Sequence, residues 1–537
     1  MRKRITMLLM AGILPVCLLS AQSPSKVAGE MKISSGAQVR SSGSVQVDMS
    51  SAHGTNGKIL NEGTLNVPQG IVFVSDDATD GMVLNKSTVN HATDLTKIKV
   101  IKRFEQSEIY YSVSFPFDVK ISEIKGESKT ASYGVDYAVY EYSGERRALY
   151  GFENISPSDV NKWPWVYVAS NATLKAGVGY LIAVGDAVSL VFPASSTSDA
   201  HNTTHPSEHR LINLVYYHSD RHAANSGWNF VGNMQITSYN LSLDHMLTES
   251  NASIAYFYDQ SNDGWSDAYD LSDPKDVVLA PPYSGFFLQT DGQSHKQVRP
   301  LRFHVNGRSL NNALAPFRST QLSELNKLEL RLQREGSDSF DKLRVVMNEN
   351  YSDSFVIGED ALKMITSKSS QFYTMIDGYP ILFNKMRPTS EEIPLGLIIN
   401  DAGQYSIGIN DLEGFENAIF YLIDKELNKV YNLSENDYVF EPGILSTENR
   451  YALRVVNDVT NINRIESSNI VAYSNNKTIY MKNLEAGDLI TIYNLSGQLV
   501  AKETAVSNEY SKNLADGVYL LRVSGLNSSF SAKVINK

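Results

Sequence analysis

From residue 99 to residue 316 strand follows strand with aromatic punctuation, and this pattern constrains the fold more than any other feature of the chain. The runs IYYSVSFPFDV (109–119), YAVYEY (137–142), WVYVAS (165–170), GYLIAV (179–184), GWNFVGN (227–233), IAYFYD (254–259) and SGFFLQT (284–290) are short and bounded by Gly, Pro, Asn or Asp. Aromatic and β-branched side chains suit a pleated, half-buried surface, and the bounding residues supply turns, so these are strands rather than helices. An all-β sandwich or barrel follows. The region also divides into two candidate halves: each opens with an aromatic-led strand, ending at Pro116 or Asn233, and each later places Gly before an aromatic strand, at Gly179 and Gly285.

The flanking regions have their own patterns. Residues 22–98 are rich in Ser, Gly, Thr and Asn and repeat imperfectly: SSGSVQV (41–47), NEGTLNV (61–67) and NKSTVNH (85–91), at offsets of 20 and 24 residues. Short strands at that period, each too small to bury its own face, predict stacked turns of a β-solenoid; ordinary hairpins are the alternative. Residues 317–460 alternate apolar and charged positions, as in LNKLELRLQREG (325–336), and predict a further jelly-roll or Ig-like sandwich. Its one candidate helix is residues 360–368, and residues 461–468 form a polar linker.

At the N-terminus Arg2, Lys3 and Arg4 precede an apolar run, residues 5–19, and Leu19-Ser20-Ala21 offers a small-residue cleavage site. This is the pattern of a secretory signal peptide, residues 1–21; the run is too short for a spanning helix, which needs about 20 residues. Cleavage would remove Cys17, the only cysteine, so stability must come from burial rather than disulfides. The chain carries 48 Lys+Arg against 59 Asp+Glu, a net charge of −11, and losing the three basic leader residues deepens it to −14. That balance argues against nucleic acid or an anionic membrane surface as partner. No later apolar stretch reaches spanning length, so no integral membrane span is expected in the mature chain.

Candidate chemistry is sparse. His201, His205, His209, His218 and His222 fall within 22 residues, with Glu208 among them, a composition that zinc would accept; Pro206 breaks any helix spanning the first three, so a solvated loop is the expected form. YDQSNDGWSDAYD (258–270) spaces Asp259, Ser261, Asp263, Gly264 and Asp267 somewhat like a calcium loop, with Asp270 where a bidentate Glu belongs; a hairpin turn is the other reading. Gly264-Trp265-Ser266-Asp267-Ala268 is a loose nucleophile elbow without the helix such an elbow needs. Trp163, Trp165, Trp228 and Trp265 are candidates for a sugar-stacking face. The expectation is no catalytic residue, no cofactor and no metal, with calcium and zinc as the alternatives just described.

The last stretch is compact. Residues 489–493 form a strand, Leu495-Ser496-Gly497-Gln498 a turn and residues 499–502 a return strand; after the Asp516-Gly517 turn, residues 518–523 and 530–535 complete a meander. The pieces IYNLSGQLV (492–500), LADGVYLLRV (514–523) and KVINK (533–537) resemble the C-terminal sorting domain of type IX secretion cargo, the Por secretion tail of one phylum of Gram-negative bacteria. The motif positions are Tyr493, Gly497, Gly517, Tyr519, Leu521, Val523, Lys533 and Lys537, within an Ig-like domain spanning residues 461–537. Asn536 departs from the family, which has an apolar or β-branched residue there. The resemblance implies export across the inner membrane by the signal peptide, then recognition by outer-membrane secretion machinery and surface attachment or release. Segments such as SFPFDV, LKAGVGYLI, GWNFVGN, PPYSGFFLQ, VYNLSENDYVF and NRYALRV look like those of that phylum's large surface proteins of unassigned function. The function expected is therefore that of a non-catalytic, adhesin-like surface protein whose partner is a host or matrix protein or a glycan. A carbohydrate-binding protein is the alternative, and a secreted hydrolase the third reading.

Overall fold

The computed structural model describes residues 16–536 apart from 20–24, 28–29, 36–37, 42–43, 48–56, 63, 68, 76–81, 86–87, 92–96, 106–108, 129, 152–158, 160, 196–209, 243–245, 249–251, 260–263, 273–277, 311–325, 339, 366–368, 390, 416–417, 457–469, 476, 495–496 and 526–528. The fold is all-β. Two compact units form, Met1–Leu322 with Phe355–Thr366, and Ser323–Ser354 with Ser367–Lys537.

In the first unit, three parallel ladders take every third strand. One joins Val16–Leu19, Gln38–Ser41, Thr64–Val67 and Thr88–His91; another joins Ser25–Val27, Val45–Val47, Ile71–Ser75 and Ile98–Phe104; the third joins Glu30–Ile33, Lys58–Asn61 and Met82–Asn85. Alternate side chains point inward, among them Val45, Val47, Ile59, Leu65, Val67 and Phe73. The 24-residue offset between the last two sequence repeats is the observed register, Thr64 opposite Thr88 and Lys58 opposite Met82. The 20-residue offset is not: Val45 lies opposite Ile71, on a different ladder from Thr64–Val67. Both shifts are even, and an even slip keeps every inward residue inward, so composition could not separate them. Val16–Leu19 lies in the expected leader and pairs with Gln38–Ser41, so cleavage after Ala21 would leave that strand at a ladder edge.

Ile98–Phe104 is shared between two layers. It pairs in parallel with Ile71–Ser75 and antiparallel with Val188–Pro193, and one core runs from Ile33, Ile59 and Phe73 to Tyr111, Phe115 and Phe192. Beyond it the tandem region repeats itself. In the first half Tyr110–Ser114, Gly179–Val184, Tyr137–Tyr142 and Trp165–Tyr167 form a sheet in that spatial order; in the second, Trp228–Gly232, Gly285–Gln289, Ile254–Asp259 and Gly264–Asp270 do the same. The opposing sheets also correspond, Ile98–Phe104, Val188–Pro193 and Lys125–Gly126 against Arg210–Tyr216, Gln297–Phe303 and Met246–Thr248.

The halves meet about a pseudo-two-fold axis. The Ser114 amide donates to the Tyr283 carbonyl at 3.1 Å, and the equivalent Gly232 amide donates to the Gly177 carbonyl at 2.8 Å. The Ser114 hydroxyl donates to the Ser284 carbonyl at 2.8 Å. A Cβ on Gly232 would fall 2.2 Å from that of Ser114, so only one of the two equivalent positions has room for a side chain.

In the second unit ten strands form one continuous sheet around a single core that includes Leu328, Leu330, Val345, Leu395, Ile407 and Leu453. The sheet's two end strands, Lys429–Asn432 and Tyr438–Phe440, are neighbours in sequence, which brings the sheet close to closure. Burial alone would raise the Asp424 carboxyl; the guanidinium of Arg450, 2.8 Å away, and the amides of Glu426 and Leu427 instead hold it below its ordinary range.

Helix was misplaced by pattern reasoning. Residues 360–365 are not helical: Asp360 turns its carboxylate back onto the Val356 amide, four residues before it, at 2.8 Å, and Ala361–Leu362 is a short strand. Among the described residues the α-helix is Gly144–Tyr150, where Ser143 caps the Arg146 amide at 3.2 Å and Gly151 ends the run.

Candidate functional site

Residues 470–536 fold around their own core. Val471–Asn475, Thr478–Lys482 and Glu509–Asn513 make one sheet; Leu499–Thr504, Leu489–Asn494, Gly517–Ser524 and Ser529–Asn536 make the other, in that order. Ile479, Met481, Ile490, Ile492, Leu521, Val523 and Val534 fill the space between them. Each contributes about 1.5–3 kcal/mol by leaving water, which a domain this small needs. The topology corrects the expected meander: polar Glu509–Asn513 crosses to the opposite sheet beside Thr478–Lys482, and Gly517–Ser524 returns to pair with Leu489–Asn494. That strand reads as loop in sequence because it has no apolar alternation.

The motif positions divide by what they touch. Leu521 and Val523 are core residues, and Tyr519, also buried, donates its hydroxyl to the Ala515 carbonyl at 3.0 Å. Gly497 sits at φ +80, the left-handed turn conformation that glycine adopts without strain, and its amide donates to the Asn494 carbonyl at 3.0 Å. Gly517 begins a strand with a Cβ position only 3.4 Å from the Tyr519 ring. Lys533 is exposed on the last strand, opposite Leu520, and Tyr493 lies on the other side of Leu520. Lys537 lies outside the described residues, as does the linker, 461–468.

Asn536, the departure from the family pattern, is fully buried. Its amide nitrogen donates to the carbonyls of Leu514 at 2.8 Å, Ala515 at 3.1 Å and Lys477 at 3.2 Å, and its oxygen accepts from the Ser474 hydroxyl at 2.5 Å. A polar side chain is tolerated in that interior because each hydrogen-bonding site is used. It ties the last strand to the opposite sheet. Sequence reasoning also passed over the outer face of the four-stranded sheet, where Leu499, Leu520 and Ile535 are about half exposed around Tyr493 and Val518. The signal was present: in GVYLLRV the outward set, Val518, Leu520 and Arg522, has two apolar members, so both faces of that strand carry apolar side chains.

The other candidates resolve into structural parts. His201, His205, His209 and Glu208 lie outside the described residues. His218 and His222 do not converge: the Nδ1 of His222 accepts from the Ala224 amide at 3.0 Å, and that of His218 contacts the Tyr216 hydroxyl at 3.2 Å. The calcium-loop segment is a hairpin, with Asp259 opposite Gly264 at its tip. Asp270 is at the far end of the seven-residue strand, roughly 20 Å from that tip at strand rise. There it is buried and accepts from the Ser272 amide at 3.0 Å, while Ser261 and Asp263 lie outside the described residues. Ser266 sits within the same strand, which continues to Asp270, so it is not at the strand-to-helix turn that a nucleophile elbow needs. Among the described residues no three His, Cys, Asp or Glu side chains gather as a metal site would require, and no helix is long and apolar enough to cross a membrane.

Of the four tryptophans, Trp228 is too buried to offer a sugar-stacking face. Trp228 is 1% exposed and donates to the Ala224 carbonyl at 2.8 Å; Trp165 packs on Tyr142 and Phe230. Trp163 is surface-exposed, while for Trp265 only the backbone is described.

Comparison with known proteins agrees with the C-terminal geometry. Residues 473–537 match the secretion system C-terminal sorting domain, and residues 248–455 match a domain of unknown function that takes in the later strands of the second tandem half and most of the ten-strand sheet. Among curated proteins none matches this chain in sequence. One similar solved structure is PorZ, an essential bacterial surface component of the type-IX secretion system of Porphyromonas gingivalis, at 10% identity and a TM-score of 0.13, covering 68% of this chain. The chain spans about half of that structure's length, 49%. Another is the BSP domain of a biofilm associated protein, at 11% identity and a TM-score of 0.11, covering 82% of this chain and 96% of that one. Scores this low do not amount to a shared fold. Residues 473–537 are therefore a type IX C-terminal sorting domain, and the protein that carries them is exported to the cell surface or the extracellular space.

Proposed function

We propose that the protein is a non-catalytic surface component, adhesin-like in its action. The sorting domain is its delivery address, and the β-domains before it make contact with a host or matrix partner. The observation that carries this reading is the separate core of residues 470–536, which lets the address fold without taking strands from the part it delivers. Rigid sheets presenting loops and faces suit binding, and His222 and Asp270, among the described residues singled out for chemistry, each accept a backbone amide two residues on. Removing residues 470–537 and fractionating the cells tests the address: the truncated protein should stay in the periplasm, and an unchanged surface or medium location would contradict it.

Carbohydrate binding is the second reading. Exposed tyrosines on the first tandem half favour it, rather than the tryptophans.

A further inference from the structure

The tandem halves put one sheet face in two environments. By ladder register Tyr110 is the equivalent of Trp228, Tyr140 of Tyr256 and Tyr167 of Ala268. In the second half this face is closed. Trp228, Tyr256 and Ala268 are each at most 2% exposed, and the Arg147 guanidinium, from the helix Gly144–Tyr150, lies 5.7 Å from the Trp228 ring centroid. In the first half the same face is open: Tyr110 is 43% exposed and Tyr167 50%.

The open face is a row of phenols. Ring centroids are 5.8 Å apart from Tyr110 to Tyr140, 5.9 Å from Tyr140 to Tyr167 and 5.5 Å from Tyr167 to Tyr133. The row is held in place. Three of the four rings sit on paired strands, and the Tyr133 hydroxyl donates to the Val168 carbonyl. A Cβ on Gly134 would come within 3.2 Å of the Tyr167 hydroxyl, so the loop backs that ring closely.

We propose that this row is a glycan-binding site. Residue chemistry selects the ligand. Where the chain's own protein covers the face, the equivalent positions are Trp228, Tyr256 and Ala268; where the face is open they are Tyr110, Tyr140 and Tyr167. A pyranose offers an apolar C–H face to stack on a ring and a rim of hydroxyls for phenol oxygens to bond, and tyrosine meets both demands with little side-chain entropy to lose. In the closed half one of the three positions is a phenol; in the open half all three are.

The inference rests on the display reading only in requiring that the face meet glycans outside the cell; binding is measured on purified full-length protein, so either claim can fail alone. A microarray of neutral and acidic oligosaccharides, followed by titration calorimetry with the strongest ligand, provides the test. Wild-type protein should bind, Y110A/Y167A should bind at least about tenfold more weakly, a loss of about 1.4 kcal/mol, and both should share one melting temperature. Y167F should keep most of the stacking and lose the hydroxyl's share. Absence of any array ligand, equal binding by Y110A/Y167A, or concentration-dependent self-association abolished by that variant would overturn the assignment.

Discussion

Tyr110 and Trp228 hold the same place in two copies of one sheet, yet Tyr110 is 43% exposed and Trp228 1%. Topology does not make the difference, since the strand order is the same in both halves. Additions do. The helix Gly144–Tyr150, inserted between two strands of the first half, packs against the second half's sheet, where the 3-10 turn Ala223–Asn225 also accepts the Trp228 N–H. Which face of a repeated sandwich becomes surface is thus decided by short inserts, and the side chains differ with it: Trp228, Tyr256 and Ala268 where the face is closed, three phenols where it is open.

Substitutions can break this comparison. Trp228→Ala should cost the most, about 3–5 kcal/mol as for other buried aromatics, read as a lower denaturant midpoint for the unit. Gly232→Ser should cost about 1–3 kcal/mol by overpacking, because its Cβ meets Ser114. Adding Ser114→Gly should restore most of that loss, since a serine at 232 would face the Val178 carbonyl as Ser114 faces that of Ser284. A swap no more stable than Gly232→Ser alone would refute the two-fold relation. Alkali offers a third handle: burial first, then the neighbouring Tyr167, pushes Tyr137 up to about 12. The neutral phenol is favoured in the folded state, so the stability it contributes is intact below the unfolded value near 10 and lost as pH rises from about 10 to about 12. Denaturation midpoints across that range, compared between wild type and Tyr137→Phe, measure it; the variant should lose less. Tyr110→Ala should have the smallest effect, within about 0.5 kcal/mol as for ordinary surface changes.

What the sequence disclosed follows from where physics is local. Gly179 and Gly285 were legible as a matched pair because close approach at the axis excludes a side chain whatever surrounds it: Cβ atoms there would meet the Phe230 ring at 2.7 and 2.6 Å. The sorting unit was legible through turn residues such as Gly497 and strand alternation such as Tyr519, Leu521 and Val523. Long-range facts were not. Trp228 and Tyr110 look alike as aromatic strand residues, and it takes the inserted helix and the Ala223–Asn225 turn to separate them. Asn536 read as a defect in an apolar pattern because its partners, Ser474, Lys477 and Leu514, come from distant strands and turns. The first repeat was aligned to the wrong rung because strand periodicity accepts any even shift.

The central claim is that the C-terminal unit acts as a self-contained address. The most direct measurement fuses residues 469–537 to a fluorescent protein carrying a Sec signal peptide, in a bacterium with an active type IX system, and locates the fluorescence by fractionation and surface protease treatment. The account predicts protease-accessible or medium-borne fusion in wild-type cells and periplasmic retention when the secretion channel is deleted. Folded fusion that remains in the periplasm of wild-type cells would contradict it.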